Sequence, residues 1–294
     1  MKAFSFAAPK TIKEMKDILA GVATAGEIRP IVGGTDLIEQ VKTGRRTPSI
    51  VMDIKHIPEM NRMEWITGEG LHLGAAVSCT DTAAFPIIQQ SYESIRESCG
   101  LIGSIQIQNR ASIVGKIANS APSADGVPSA LVHEASVVLV GSSGTRTISL
   151  EDFFTGPGKN VSEPDEVVLE IILPPPPENS SSHYLRFIPR NEMDIAVAGA
   201  ASLLALAPGS KTCTKARIAL ASVGPTPVRA KAAEAFLEGK DITNEIIEKA
   251  GDLAIEAASP ITDVRGSIEY RKDLVKVLTQ NTLRMCLSSL NQDL

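Results

Sequence analysis

Residues 31–37 read IVGGTDL, and residues 109–119 read NRASIVGKIAN, followed by SAPSADG at 120–126. Each stretch places a glycine where a strand-like apolar run gives way to a polar loop. Glycine has no Cβ and tolerates a positive φ, so such a loop can bring backbone N–H groups close to a phosphate. Two loops of this kind on one chain indicate a ligand with more than one phosphate, and therefore a dinucleotide.

The composition limits the class of protein. The 294 residues predict two or three domains, and 43% hydrophobic with 21% charged residues is typical of a soluble globular chain. The net charge of −5 argues against nucleic acid as the main partner, because phosphate backbones bind basic surfaces. No run of about 18 apolar residues predicts a membrane span. The first residues, MKAFSF, lack the apolar core of a signal peptide, so we expect a cytoplasmic protein.

No motif for catalysis or metal binding is found. The patterns GxGxxG, GxxxxGK[ST], GxSxG and HExxH are missing. The cysteines are too far apart in sequence for a CxxC pair, so we expect no iron–sulfur or zinc site on this chain. The histidines are scattered and are better explained as surface or packed residues than as ligands or bases. We therefore predict no catalytic residue and no metal ligand among these side chains: Cys79, Cys99, Cys213, Cys286, His56, His72, His133 and His183.

Residues 1–55 predict a small α/β subdomain. Thr11 and Glu14 form a capping box, in which each side chain can bind a backbone N–H group at the start of a helix. Beyond this helix the pattern predicts a strand at 29–32, a helix at 37–42 and a buried strand at 49–54.

Residues 56–175 predict a second, α+β subdomain. Alternating apolar positions around turn residues predict two β-hairpins and a later strand. The hairpins lie at 63–75 and 137–149, the strand at 166–173, and helices at 81–89, 92–99 and 126–134. A short helix is expected at 150–154.

The segment PPPPENSSS at 174–182 marks a domain boundary, because four prolines cannot join a helix or a central strand. The third domain, 176–294, is predicted to contain strands at 183–188, 196–205 and 216–222. Helices are expected at 228–238, 244–257 and 268–290. Its first strand carries Tyr184 and Arg186, with Arg190 and Asp194 shortly after.

Each of these features has a simpler explanation when taken alone. The GGTD sequence can be a helix cap after a tight turn, Asp125 can cap the next helix, and Arg186 can be a solvated strand residue. Their joint occurrence favours a ligand in a cleft between domains, where Arg186 would supply a fixed cation.

Taken together, the motifs resemble the FAD-binding subunits of the molybdenum hydroxylases, the xanthine dehydrogenase family. This family includes the medium subunits of aerobic carbon monoxide dehydrogenases. Its first flavin loop typically reads AGGT[DN]L, here VGGTDL at 32–37. Its second typically reads RNx[AG][ST]IGGN[IL]ANASPx[AS]D, here QNRASIVGKIANSAPSAD at 108–125. Further matches are GTR at 144–146, DFFTG at 152–156, GPTPVRA at 224–230 and DVRGSIEYR at 263–271.

The resemblance implies an α+β fold of the PCMH or vanillyl-alcohol-oxidase type, with FAD extended between the two subdomains. A C-terminal three-stranded antiparallel sheet with a helical layer would follow. The first loop would wrap the pyrophosphate with backbone amides through Val32, Gly33, Gly34, Thr35, Asp36 and Leu37. The other side of the cofactor would be held by Ser112, Ile113, Gly115, Lys116 and Ala118.

The same resemblance implies further contacts. Asp125 would bind the ribityl or pyrophosphate region, while Ile172 and Leu173 would lie beside the isoalloxazine ring. Tyr184 would cover a face of that ring, and Arg186 stands where the family commonly carries a lysine.

Two residues depart from the family pattern in the second loop. Val114 replaces a glycine, loses the freedom of a positive φ, and is expected to push the backbone away from the phosphate. Lys116 replaces Asn or Asp, and we expect it to offset this through a direct charge contact with the pyrophosphate.

The function implied is electron transfer. A small subunit with two [2Fe–2S] clusters and a large subunit with the molybdenum cofactor would be the partners. Electrons would pass through the clusters to FAD on this chain, and then to NAD⁺ or a quinone. Two alternatives stay open at this point: a flavin-free scaffold subunit of the same fold, and a free-standing flavin oxidase.

Overall fold

The computed structural model describes residues 2–22 and 26–292 of the chain. Within these residues the main strands form sheets of three, five and four strands, and a fourth sheet is a two-stranded ribbon. No described helix combines the length and the apolar character needed to cross a lipid bilayer.

The first sheet is parallel, with the strand order β1-β3-β2. Helix α1 begins after Thr11, whose side chain accepts the N–H of Glu14 at 3.1 Å, as the capping box predicts. Glu14 itself accepts the N–H of Lys10, one residue before the predicted partner. The elements are β1 Ser5–Ala7, α1 Ile12–Leu19, β2 Ile28–Ile31, α2 Leu37–Lys42 and β3 Ile50–Asp53.

The second sheet is antiparallel, with the order β4-β5-β10-β6-β7. Both predicted hairpins and the strand predicted at 166–173 are therefore present, and this strand lies at the centre of the sheet. The elements are β4 Met63–Ile66, β5 Gly70–Gly74, α3 Cys79–Ala84, α4 Pro86–Ser91, α5 Glu93–Leu101, α6 Ile105–Gln108, α7 Ile113–Asn119, α8 Gly126–Val132, β6 Ser136–Gly141, β7 Gly144–Ser149, β8 Phe154–Gly156, β9 Lys159–Asn160 and β10 Val167–Leu173.

One predicted helix, at 81–89, is wrong as a single element. It is replaced by α3 and α4, which meet at Phe85 in an extended conformation with φ −69° and ψ 127°. Pro86 causes the break, because proline disfavours the helical region for the residue before it. The predicted short helix at 150–154 is a single 3-10 turn, Leu150–Asp152.

The third sheet, β11-β12-β13-β14, is antiparallel. The sheet contains a fourth, two-residue strand, β14, beside the three predicted strands. The helix predicted at 228–238 therefore begins only at Lys231. Arg229 on β14 is held there by Glu234, whose Oε1 also accepts the N–H of Ile218. The elements are β11 Ser180–Phe187, β12 Ala198–Leu206, β13 Cys213–Ala221, β14 Val228–Arg229, α9 Lys231–Leu237, α10 Asn244–Ala254 and α11 Ile268–Ser289.

Strand β11 begins at Ser180, within the stretch predicted as a loop. The serines are accommodated because their backbone pairs fully with β12 and because Ser182 Oγ accepts the N–H of Ser94. The division of the chain into domains at 1–55, 56–175 and 176–294 stays a prediction.

Strand β12 is buried along its whole length, and the third sheet is covered on both faces. Ala201, Leu203 and Ala219 join the apolar core of the preceding sheets and helices. Ala200, Leu204 and other residues of alternate register pack instead with α9, α10 and α11. This double burial explains the long apolar run of β12, since strands covered on both faces lack polar alternation.

Candidate functional site

A cavity of about 600 Å³ opens beside the carboxyl end of β2. This volume lies within the range typical of sites for small molecules and cofactors. Both glycine stretches line the cavity, so two segments eighty residues apart in sequence meet there. The predicted site residues that line it are Val32, Gly33, Gly34, Thr35, Asp36, Leu37, Ser112, Gly115, Lys116 and Ala118.

The first glycine stretch is a tight turn between β2 and α2. Gly34 has a φ of +72°, a conformation that glycine adopts without steric cost. A Cβ at Gly33 would lie 1.9 Å from the carbonyl oxygen of Arg110. Glycine is therefore required at Gly33, because it allows the first stretch to pack directly on the backbone of the second.

The second glycine stretch is mainly a helix, and the predicted loop is wrong there. Ser112 caps α7: its Oγ accepts the N–H of Gly115 at 2.9 Å. Val114 is fully buried within the first turn of this helix. Val114 has no positive φ in this helix, and the expected displacement of the backbone from a phosphate stays a prediction. The left-handed residue is Ser120, with a φ of 54°, where the helix ends.

Lys116 and Asp36 join the two stretches through an ion pair. Lys116 Nζ lies 2.7 Å from Asp36 Oδ2, and both side chains line the cavity. Asp36 precedes α2 but makes no capping hydrogen bond with its side chain. The charge of Lys116 is therefore largely neutralised by this protein contact. A direct contact between Lys116 and a pyrophosphate stays a prediction.

Asp125, Tyr184 and Arg186 form a buried cluster away from the lining of the cavity. Arg186 Nη1 lies 2.6 Å from Asp125 Oδ2, and the Tyr184 hydroxyl donates to Asp125 Oδ1 at 2.8 Å. Arg186 also donates to the carbonyl of Leu101. Burial raises the pKa of Asp125, although the charge of Arg186 opposes this shift, and burial also raises the pKa of Tyr184. The predicted roles of these residues at a cofactor stay predictions.

The remaining predicted site residues are also outside the cavity lining. Ile113 is fully buried in α7 and packs on Gly126. Ile172 and Leu173 end β10, where the Leu173 carbonyl accepts the Tyr92 hydroxyl at 3.1 Å. Their predicted place beside an isoalloxazine ring stays a prediction.

Sequence reasoning missed two arginines and a polar network in this cavity. Arg29, Arg46, Gln40, Asn119 and Asn160 all line it. Burial and the neighbouring Arg46 lower the pKa of Arg29 to about 10. Arg29 could have been identified as a cavity residue because it lies on the strand that leads into the glycine turn. Nothing in the sequence marked Arg46.

The cavity fits a dinucleotide in chemistry as well as in volume. At the glycine turn no side chain stands between the backbone and the cavity. The guanidinium groups of Arg29 and Arg46 also face the cavity, and no described carboxylate is bound to either group. Ile54, Ala75, Val167 and Val168 add apolar surface. Apolar walls with a few fixed polar and cationic groups are typical of cofactor sites.

In the described part of the chain, one group of possible metal ligands occurs outside the cavity, formed by Glu93, Glu97 and His183. His183 Nδ1 lies 2.8 Å from Glu97 Oε1, and Glu97 Oε2 accepts the N–H of Tyr184 at 2.7 Å. Glu93 is held by Arg96. The protein itself supplies partners for these groups, so the cluster is explained as a structural tie between α5 and β11.

Comparisons with known families cover nearly all of the chain. Residues 2–176 match the FAD binding domain in molybdopterin dehydrogenase. Residues 183–286 match the CO dehydrogenase flavoprotein C-terminal domain.

Relatives and solved structures agree with these matches. The nicotinate dehydrogenase FAD-subunit of Eubacterium barkeri is 30% identical over 94% of this chain and 93% of its own length. The carbon monoxide dehydrogenase medium chain of Hydrogenophaga pseudoflava is 30% identical over 95% of this chain and 96% of its own. A solved carbon monoxide dehydrogenase from the same organism, which lacks the Mo-pyranopterin moiety of the molybdenum cofactor, superposes with a TM-score of 0.92. That structure covers 98% of both chains at 30% identity.

The two family matches follow each other along the chain in the order of the two parts of the fold, and the first contains both glycine stretches. The chain therefore belongs to the FAD-binding medium subunits of the molybdenum hydroxylase family, the flavoprotein subunits of an oxidoreductase complex.

Proposed function

We propose that this chain carries electrons from iron–sulfur clusters of a partner subunit, through its FAD, to NAD⁺ or a quinone. The observation that carries the proposal is the single cavity lined by both glycine stretches. FAD, when bound, supplies the redox chemistry, since a flavin can exchange electrons both singly and in pairs. The side chains of this chain bind and orient it.

The proposed partners are a small subunit with two [2Fe–2S] clusters and a large subunit with the molybdenum cofactor. Relatives that are named medium chains support a complex with a smaller and a larger chain. The molybdenum cofactor named for a structural neighbour supports the chemistry of the large subunit. A cytoplasmic location of this complex stays a prediction.

Within the chain, the proposed work is binding and orientation. The turn at Gly33 and Gly34 leaves the backbone beside the cavity uncovered by side chains. The apolar residues Ala75, Val167 and Val168 keep part of the cavity dry, which strengthens charge interactions with a bound anion. No acid or base on this chain is needed for electron transfer.

The first test is purification of the chain with its co-purifying subunits, followed by a visible spectrum and chromatography of the released flavin. We expect FAD near one per chain, together with iron–sulfur absorbance. An intact complex without flavin would contradict the proposal and favour the flavin-free scaffold.

The second test concerns the acceptor. The complex is reduced without oxygen by a limiting amount of dithionite and then mixed with NAD⁺ or with a soluble quinone. We expect the flavin absorbance to return with one of them. If neither acceptor restores the flavin or the cluster absorbance, the proposed path is rejected.

A further inference from the structure

Arg29 lines the cavity and has no ion-pair partner among residues 2–22 and 26–292. It lies on β2, and its guanidinium covers Gly26, where a Cβ would lie 2.6 Å from Arg29 Nη2. Gly26 has a φ of +86°. The Nε atom of Arg29 is buried and has no hydrogen-bond partner among the described residues. A partly buried cation with no partner in the described part of the chain is suited to binding an anion from outside the protein.

Arg46 reaches the same cavity from the segment after α2. Its Nε donates to Gln40 Oε1 at 2.8 Å, and Gln40 Nε2 donates to Asn119 Oδ1 at 3.0 Å. This network connects α2 to the end of α7. Gln40 therefore orients the Arg46 guanidinium, whose other N–H groups bind no residue that the structure describes.

Two of the three acidic residues that line the cavity are paired with other cations, and the third, Glu163, is exposed. Asp36 pairs with Lys116, and Glu166 pairs with Arg146 at 2.6 Å. Burial lowers the pKa values of both Arg29 and Arg46, and Arg29 is further affected by the positive charge of Arg46. Two like charges that face one half-enclosed space repel each other, and an anion between them removes this repulsion.

We propose that Arg29 and Arg46 bind the adenosine diphosphate half of FAD, and thereby make this subunit select FAD over FMN. The guanidinium group binds phosphate oxygens through two parallel hydrogen bonds, so two guanidiniums match a diphosphate in charge and in donors. FMN lacks the adenosine half and the second phosphate. This inference rests on the proposed function only in that FAD is the resident cofactor.

The test is titration of the complex, freed of its flavin, with FAD and with FMN, followed by quenching of flavin fluorescence. The variants are Arg29→Gln and Arg46→Gln. The matched control is Arg45→Gln, because Arg45 is next in sequence, is 64% exposed and pairs with Glu39 outside the cavity. We expect each cavity variant to weaken FAD binding about tenfold or more, which corresponds to about 1.4 kcal/mol. FMN affinity should fall less than FAD affinity in each cavity variant, because FMN keeps one of the two phosphates but lacks the adenosine monophosphate.

Salt and ADP give further readouts that do not depend on activity. Added NaCl should weaken FAD binding more in the unmodified protein than in Arg46→Gln, because salt screens the charges that the variant has already lost. ADP alone should compete with FAD in the unmodified protein and lose this ability in both cavity variants.

Two results would overturn the inference. One is unchanged FAD affinity in both Arg29→Gln and Arg46→Gln while the unmodified protein binds FAD. The other is an equal loss of FAD and FMN affinity in both variants, which would mean that neither guanidinium contacts the adenosine monophosphate that FMN lacks. Failure of the unmodified complex to bind any FAD would instead reject the proposed function, so the two failures are distinguishable.

Discussion

The carboxylate of Asp125 lies 2.6 Å from the guanidinium of Arg186, across the contact between α8 and β11. The exposed fractions of the two side chains are 10% and 4%, so this is an almost dry ion pair. Tyr184 adds a hydrogen bond to the other carboxylate oxygen. The pair ties the third sheet to the part of the chain that carries the second glycine stretch.

Removing one member of this pair should be costly. Asp125→Ala leaves the Arg186 guanidinium buried without its carboxylate, and we expect the free energy of unfolding to fall by about 3–5 kcal/mol. The measurement is urea denaturation followed by circular dichroism. Arg190→Ala is the control, since Arg190 is 68% exposed in its pair with Asp194 and should change stability by less than about 1 kcal/mol. Equal losses in both variants would contradict the expectation.

A buried histidine should make stability depend on pH. His133 is buried against Ser94 and Ser182, and burial lowers its pKa to about 3. The folded protein keeps His133 neutral, whereas the unfolded chain takes up a proton below about pH 6.5. The stability that the neutral His133 contributes to the folded state is complete above that pH. It is lost as the pH falls toward 3, by at most about 1.4 kcal/mol per pH unit.

His133→Gln removes that titration, so its unfolding free energy should fall less steeply than that of the unmodified protein between pH 6.5 and 5. Denaturation by urea at several pH values measures the slopes. His56→Gln is the matched control, because the His56 side chain is 61% exposed, and it should retain the original slope. The idea fails if His133→Gln retains that slope as well.

The contact of Gly33 with Arg110 should tolerate no side chain. Gly33→Ala places a Cβ 1.9 Å from the Arg110 carbonyl oxygen, so we expect a loss of about 1–3 kcal/mol in stability. FAD affinity should fall about tenfold or more. Gly100→Ala is the control: a Cβ there meets nothing within 4 Å, and the helix α5 should gain about 0.5–1 kcal/mol. FAD titration and thermal unfolding of both variants test this prediction, and an unimpaired Gly33→Ala would refute it.

Lys116 and Asp36 should affect FAD binding in opposite directions. If Lys116 contacts the pyrophosphate, Lys116→Ala weakens FAD binding about threefold, a small effect because Asp36 already neutralises the ammonium. Asp36→Asn frees Lys116 and removes a negative charge from the cavity, so it should strengthen binding by a similar factor. Fluorescence titration measures both affinities. Unchanged affinity in both variants would remove Lys116 from the site.

The sequence predicts the strands and helices well where local signals are strong. The capping box at Thr11 marks the start of α1, and turn residues mark both hairpins. The loop predicted at the second glycine stretch was wrong because a helix cap lies in the middle of the motif. Ser112 accepts the N–H of Gly115, which starts a helix where the glycine had suggested a loop.

The site is harder to predict than the fold because it depends on long-range contacts. Both glycine stretches were identified, since glycine is required where backbones approach closely. Arg29 and Arg46 lie 17 positions apart in the numbering of the chain and converge only through the packing of β2 and the segment after α2. Neither residue belongs to a motif, and a charged side chain in a sequence is more often on a solvated surface.

The burial of β12 on both faces bears on how the protein can be divided. Its sheet contributes Ala201, Leu203 and Ala219 to the core of the preceding part, although the two family matches meet between residues 176 and 183. A fragment that ends at this boundary would leave that apolar face open to water and prone to aggregation. The FAD-binding part therefore depends on the sheet that follows it for part of its stability. We expect the whole chain to unfold in one cooperative transition.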